Sequence, residues 1–361
     1  HGLEDAHPET ALNSAEKLAE LAPKSGHIVH MPGHIFFKAG DYQRAYQSFA
    51  DSAKTDSDYL RLQNIEPIDN WNYWHNLQFI AANCAESGRY QDGMKWSQKL
   101  AKLPLKRKED TANDKVSESP WHWYFERKSL FTIPDFNLRF GFWQAVVDSL
   151  IEMPKNISIR AKDLQKHLLL FAKAMAALDQ GNVNLANQLA MALDASLWQF
   201  SFDKSKSGNQ RLSDREINRL AIASLELRGN VASIKGNHEE AVELFENAIE
   251  KGKKSFVGDP PFYPRPVQES LAKAYLRIQD WKNARKAYQD VLPFRPNSGH
   301  ALFGIAKSYA LAGKKIKATQ AYKNFLSSWR NADPDLPHIK TAKTWLKTNQ
   351  EDEDDLDIQI K

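Results

Sequence analysis

The chain has 361 residues, of which 42% are hydrophobic and 26% charged, and its formal net charge is +4. No run of about 18 apolar residues occurs, so the sequence predicts no transmembrane segment. Cys84 is the single cysteine, which excludes an internal disulfide framework and a cysteine-rich metal site. The mild positive charge is not gathered into a basic block, and this argues against nucleic acid as a partner.

A short phrase recurs along the chain, in which a turn residue is followed five residues later by alanine. The clear copies are Gly40…Ala45, Gly181…Ala186, Gly236…Ala241, Gln279…Ala284 and Gly313…Ala318, with weaker copies at Gly88 and Gly141. Before each turn, apolar residues recur about every 3.6 residues within a helix-forming segment, and a second amphipathic helix follows the turn. No alternating strand pattern occurs, so the sequence predicts an all-α fold built of helical hairpins.

The repeated phrase resembles the tetratricopeptide repeat (TPR), a helical hairpin with small residues at positions 8 and 20 and an aromatic residue near position 24. With Ala45 at position 20, Gly33 falls at 8 and Phe49 at 24. The resemblance covers nearly the whole chain. It implies one superhelical solenoid over residues 1–349, with about seven hairpins after a truncated first one. The mostly acidic segment 350–361 is predicted to be a disordered tail.

Histidines are concentrated near the start of the chain. His30 and His34 are four residues apart, so their imidazoles project from one face of a helix. In TPR proteins generally, positions 2, 5 and 9 of the first helix line the concave groove. The resemblance places His27, His30 and His34 at these positions, and His75 at position 2 of the next hairpin. Pro32 lacks the N–H of a helix interior, so we expect the helix to start near Met31 or to kink there, which leaves 27–30 outside regular helix.

The same resemblance places Glu4 at a groove position of the preceding hairpin, close to His1. Neutral imidazoles with a carboxylate suit one transition-metal ion, namely Zn(II), Fe(II), Mn(II) or Cu(II). We therefore predict a metal site formed by His30, His34 and His75 with Glu4 and His1. Binding is expected to weaken as the pH falls through about 6–6.5, because imidazole must be neutral to ligate. The alternative is that these histidines line a peptide-binding groove or bond neighbouring helices.

Several segments are distinctive beyond the repeat pattern. They are His1…Glu4, 26–35 (GHIVHMPGHI), 75–77 (HNL), 138–141 (LRFG), 259–265 (DPPFYPR) and 296–302 (PNSGHAL). These segments resemble a family of bacterial TPR-like proteins of poorly defined function, although Asp259 stands where that family usually has Glu. Several members carry export or lipoprotein signals upstream, and this chain begins at His1 rather than Met. The resemblance therefore implies a further N-terminal segment and a location in the cell envelope or periplasm, with the cytoplasm as the alternative.

Two residues outside the histidine set are further candidates for ligand binding. Arg265 lies between two prolines in a rigid turn before a helix, where a structural salt bridge is the alternative role. His300 falls at groove position 2 of the final hairpin. With His27 and Asn76 they form the predicted set of groove residues.

Three functions fit this sequence. The first is a TPR scaffold whose concave groove binds a protein segment or a small ligand and carries the His/Glu metal site. The second is a metal-dependent enzyme, a hydrolase or oxidoreductase, that uses the same site. Its acid or base would come from the nearby polar residues Glu66, Asp69, Tyr73 and Asn76, and no catalytic residue is assigned among them. The third is a metal-free peptide-binding TPR protein.

Overall fold

The computed structural model describes residues 7–107, 120–202, 211–255, 260 and 263–359. Within these ranges the regular elements are helices, and no strand occurs. The α-helices are α1 Leu12–Leu21, α2 Gly26–Lys38, α3 Tyr42–Gln63, α4 Trp71–Ser87, α5 Tyr90–Ala101, α6 Pro120–Phe140, α7 Trp143–Ile151, α8 Ile159–Asp179, α9 Val183–Phe202, α10 Asp214–Lys235, α11 His238–Ser255, α12 Val267–Arg277, α13 Trp281–Gln289, α14 Gly299–Leu311, α15 Lys315–Ser328 and α16 Pro337–Gln359. Short 3-10 helices span Pro8–Ala11 and Pro67–Asp69. None of the helices described is both long and apolar enough to cross a membrane.

Consecutive helices pair into seven hairpins, from α2–α3 to α14–α15, with α1 before the first and α16 after the last. Each hairpin turn contains a residue in the left-handed region, which allows the chain to reverse directly after the first helix. These residues are Gly40, Gly88, Gly141, Gly181, Gly236, Gln279 and Gly313, with φ between 61° and 87°. They are the turn residues of the repeated phrase, and the predicted all-α, TPR-like hairpin fold is confirmed.

Close packing within a hairpin follows the repeat positions. A Cβ atom on Gly33 would lie 2.4 Å from the Phe49 ring, and one on Gly229 would lie 2.8 Å from the Phe245 ring. Both glycines occupy position 8 of their repeats, and both rings occupy position 24. The missing side chain lets the first helix rest against the aromatic ring of the second, which is fully buried in both hairpins.

Two local expectations differ from the structure. Helix α2 begins at Gly26, where the Ser25 hydroxyl accepts a bond from the Ile28 N–H, so Pro32 lies inside a helix that includes 27–30. The prediction that 27–30 leaves regular helix is therefore wrong, because the cap starts the helix before the proline. The backbone of α16 is helical to Gln359, whereas the sequence predicted a disordered tail from residue 350.

The superhelix closes on itself, so that the last hairpin contacts the first two. The Trp329 indole donates to the Glu86 carbonyl oxygen at 2.7 Å, and the Tyr42 hydroxyl donates to the Pro296 carbonyl oxygen at 2.7 Å. The described part of α14 also contacts α4, although four hairpins separate the two hairpins along the chain. The concave surface is therefore an enclosed interior.

A buried network of charged residues fills the centre of this closure. Arg139 from α6 donates to Glu86 of α4 at 2.7 and 3.0 Å, and to Glu269 of α12 at 2.9 and 3.0 Å. Arg295, which precedes α14, pairs with the same Glu86 carboxylate. Burial alone would raise the pKa of Glu86, but the charges of Arg139 and Arg295 hold it below its ordinary value.

Candidate metal centre and adjacent pockets

Three of the predicted histidines meet on the inner wall formed by α2 and α4. His30 and His34 lie one turn apart on α2, and His75 projects from α4, which packs beside it. One ring nitrogen from each histidine can be chosen so that all three lie within 4.8 Å of one another. The Nε2 atoms of His30 and His34 are 2.6 Å apart. His30 and His34 are buried and His75 is half-buried, so His75 marks the side open to the interior.

Aromatic rings surround the three imidazoles and exclude water from most of the site. The Phe79 ring centroid lies 4.4 Å from that of His34 and 4.7 Å from that of His75, and Phe49 lies 4.9 Å from His30. Burial lowers the pKa of His75, and the nearby Lys128 ammonium and neighbouring imidazoles lower it further. His75 is therefore neutral around pH 7, as a metal ligand must be.

A polar network beneath the histidines fixes α2, α3 and α4 relative to one another. The buried Asp56 carboxylate of α3 accepts bonds from Asn72 and Asn76 of α4, both at 2.8 Å. Burial raises the pKa of Asp56, and these amide bonds oppose the rise by stabilising the carboxylate. Ser52 donates to the Gly26 carbonyl oxygen at 2.6 Å and so ties α3 to the start of α2. The network holds the helices that carry the three imidazoles.

The remaining predicted site residues near the start of the chain have separate positions. His1 and Glu4 lie outside the described residues. His27 does not belong to the three-histidine group; its Nδ1 is 3.2 Å from the Asn72 side-chain oxygen, and its ring stacks 6.4 Å from that of His30. Asn76 is fully buried in the Asp56 network and lines neither the cluster nor a described pocket.

The suggested acid and base candidates are likewise dispersed. Asp69 pairs with Arg107 at 2.6 Å on the surface, and Tyr73 is buried in the core. Glu66 is half-buried at the start of the 3-10 helix before α4. None of the three belongs to the histidine group.

A pocket of about 60 Å³ opens along the inner face of α4 and α6. Its wall includes Gln78, one helical turn after His75, and Lys128, which donates to the Gln78 side-chain oxygen. Lys128 is buried, and this burial, together with the charges of Arg127 and Arg215, lowers its pKa to about 7. A lysine with this pKa exchanges protons near neutral pH. No sequence motif around Lys128 identifies it as a candidate functional residue.

The predicted groove residues Arg265 and His300 line a second pocket, of about 330 Å³, on the other side of Arg139. Arg265 donates to Glu226 at 3.1 Å, in agreement with the alternative structural salt bridge. His300 donates through Nε2 to the Ala85 carbonyl oxygen at 3.0 Å, and this bond also links α14 to α4. The bond of His300 therefore belongs to the closure, whereas the pair of Arg265 with Glu226 joins α10 to the segment before α12.

No family model matches the chain, and no curated protein matches it. Among solved structures, the chain is similar to a tetratricopeptide repeat protein from Parabacteroides merdae, at 14% identity and a TM-score of 0.37, covering 93% of this chain and 98% of that one. It is also similar to the APC/C hetero-tetramer Cut9–Hcn1, at 14% identity and a TM-score of 0.40, covering 94% of this chain and 81% of that one. Yeast Tom70 is similar at 12% identity and a TM-score of 0.33, covering 95% and 93%.

Proposed function

We propose that the chain is a TPR-like scaffold that binds one transition-metal ion through His30, His34 and His75 inside its closed superhelix. The observation that carries the proposal is the convergence of three ring nitrogens within 4.8 Å, from two helices. Metal bonds of about 2.0–2.1 Å in a tetrahedral shell place ligand nitrogens about 3.3 Å apart. Small side-chain rotations bring the three imidazoles to that spacing. Glu4 and His1 are proposed as further ligands.

Three imidazoles without a thiolate favour an ion of intermediate softness. The Irving–Williams order ranks Cu(II) and Zn(II) above Fe(II) and Mn(II) at such a site. Burial keeps the His75 imidazole neutral, and the half-buried His75 leaves one side of the ion open to the interior. A water molecule or a ligand atom can take that open position.

The enclosed interior favours a small molecule as the occupant over a protein segment. The interior pocket lined by Arg265 and His300 has a volume of about 330 Å³, within the usual range for small-molecule sites, and the pocket beside His75 adds about 60 Å³. A protein segment would have to thread through the closure made by Trp329 and Glu86. Location in the bacterial cell envelope or periplasm is proposed from the sequence resemblance alone.

A metal-dependent enzyme is the second candidate, and one observation favours it. Lys128 lines the pocket that begins one turn from His75, and its pKa of about 7 suits proton transfer at neutral pH. In that case a metal held by His30, His34 and His75 would supply Lewis-acid polarisation of a water or substrate, and Lys128 would accept or donate the proton. Replacing Lys128 by Met would then abolish turnover while leaving the metal bound.

The metal proposal is tested by elemental analysis of untagged protein and by titration with Co(II), whose visible absorption reports its coordination. We expect one ion per chain, lost in His34→Ala and in His75→Ala, with helicity unchanged by circular dichroism. His238→Ala is the matched control, because His238 is exposed at a hairpin turn outside the group. Equal metal content in His34→Ala and the control would overturn the proposal, and the metal-free scaffold would then be the better account.

A further inference from the structure

The pocket of about 330 Å³ between α12, α14 and α16 has an unbalanced charge. Five cationic side chains line it, namely Arg139, Arg265, Lys273, Arg277 and Lys307, and the one carboxylate among the lining residues is Glu269. This composition is independent of the histidine group, since none of the three metal-site histidines lines the pocket.

The buried part of the charge is already neutralised. Arg139 and Arg295 share the carboxylates of Glu86 and Glu269, and Arg265 pairs with Glu226. The three arginines thus balance three glutamates. Each of these carboxylates is held by short bonds in the core and is not available to the cations that face the pocket.

The cations nearer to the pocket opening remain in excess. Lys273 and Lys307 form no ion pair with any described residue, and Arg277 donates to the Ser233 hydroxyl at 3.0 Å. The nearby carboxylate that attracts Lys273 and Arg277 outside the balanced network is Asp179. Three cations facing one carboxylate leave an excess of two positive charges.

The charges that line the pocket also lower one another's pKa values. The charge of Arg265, followed by burial, lowers the pKa of Lys273 to about 8. Burial lowers the pKa of His338 to about 4, and the charges of Lys273, Arg139 and Lys307 add to the effect. Like charges that lower one another's pKa in this way are relieved when an anion binds among them.

The rest of the wall is apolar and aromatic. Leu276, Leu311 and Phe303 line the pocket, and the Phe303 ring centroid lies 4.6 Å from that of His338. A fully hydrated inorganic ion would leave this surface in contact with water. An anion attached to an apolar body would cover it.

We propose that this pocket binds a small organic phosphate, with its phosphate group among Lys273, Arg277 and Lys307 and its apolar body against Leu276, Phe303 and Leu311. A phosphate monoester carries a charge of about −1.5 to −2 at pH 7, which matches the excess of two positive charges. A carboxylate carries half of that charge and leaves one cation unbalanced.

Calorimetric titration of the full chain with phenyl phosphate, inorganic phosphate and benzoate tests the proposal. We expect phenyl phosphate to bind at least tenfold more tightly than either of the others. Lys307→Gln should weaken phenyl phosphate binding at least fivefold, and Lys273→Gln similarly. The matched control is Lys286→Gln, an exposed lysine of α13 that does not line the pocket, and it should leave the affinity unchanged.

Three further outcomes test the assignment of phosphate binding to this pocket. His75→Ala should leave the affinity for phenyl phosphate unchanged, and its loss in that variant would place the phosphate on the metal centre and overturn the proposal. Equal binding of benzoate and phenyl phosphate would refute the claim that the pocket selects a doubly charged phosphate group. An equal loss in Lys286→Gln and Lys307→Gln would show general attraction to a basic surface, which also refutes it.

Discussion

Replacing Glu86 by Gln tests whether the buried charged network holds the superhelix closed. The substitution keeps the shape of the side chain and removes its charge. Arg139 retains Glu269 as a partner, whereas Arg295 keeps only the Pro264 carbonyl oxygen, at 3.3 Å. The variant therefore leaves the Arg295 guanidinium buried without a carboxylate partner.

The expected loss in the free energy of unfolding is about 3–5 kcal/mol, the usual cost of removing one partner from a buried ion pair. The loss should depend on pH. The two arginines hold the pKa of Glu86 below its unfolded value, so its charge stabilises the fold above about pH 4.3. That stabilisation is lost as the pH falls towards the folded pKa, and the difference between wild type and variant shrinks with it.

Urea unfolding followed by circular dichroism at pH 7 and at pH 3.5 measures both effects. Asp58→Asn is the control, because its pair with Arg61 joins side chains that are 49% and 75% exposed. An exposed pair of this kind contributes less than about 1 kcal/mol. A loss in Glu86→Gln no larger than in Asp58→Asn would refute the argument that the network stabilises the closure.

Three further substitutions probe the closure and the packing behind the metal centre. Gly88→Ala should destabilise the fold by about 2 kcal/mol in urea unfolding, since Gly88 has a φ of 73° and its Cβ would meet the Trp329 ring. Tyr42→Phe removes one bond across the closure and should cost about 1 kcal/mol, seen as a lower thermal midpoint. Gly33→Ala forces α2 away from Phe49 and should weaken Co(II) binding, measured by its visible absorption.

The hairpin fold was predictable because each repeat carries its own local signals. Turn residues such as Gly40 and small residues such as Gly33 act within one hairpin, so the sequence around them is sufficient. The same repeat positions predicted that His30, His34 and His75 face one groove, and the structure brings these three together. They are neighbours because adjacent hairpins stack in a regular way.

The closure of the superhelix was harder to predict, because it depends on rotations added up over several hairpins. Contacts such as Trp329 with Glu86 join residues 243 positions apart, and no local pattern marks them. The proposed phosphate pocket has a signal in the sequence, namely the repeat positions of two of its lysines. With Ala272 and Ala306 at position 8 of their repeats, Lys273 and Lys307 fall at position 9, which faces the groove.

Closure of the superhelix changes how its concave surface binds ligands. In an open array each repeat contacts only its neighbours, so a ligand must order a groove that is free to flex. Here Arg139 is held by carboxylates from α4 and α12 and forms a wall of both interior pockets. A ligand in either pocket meets side chains that are already fixed, and the ordering cost of binding falls accordingly. We therefore expect small ligands, recognised by charge and shape, to be the partners of this interior.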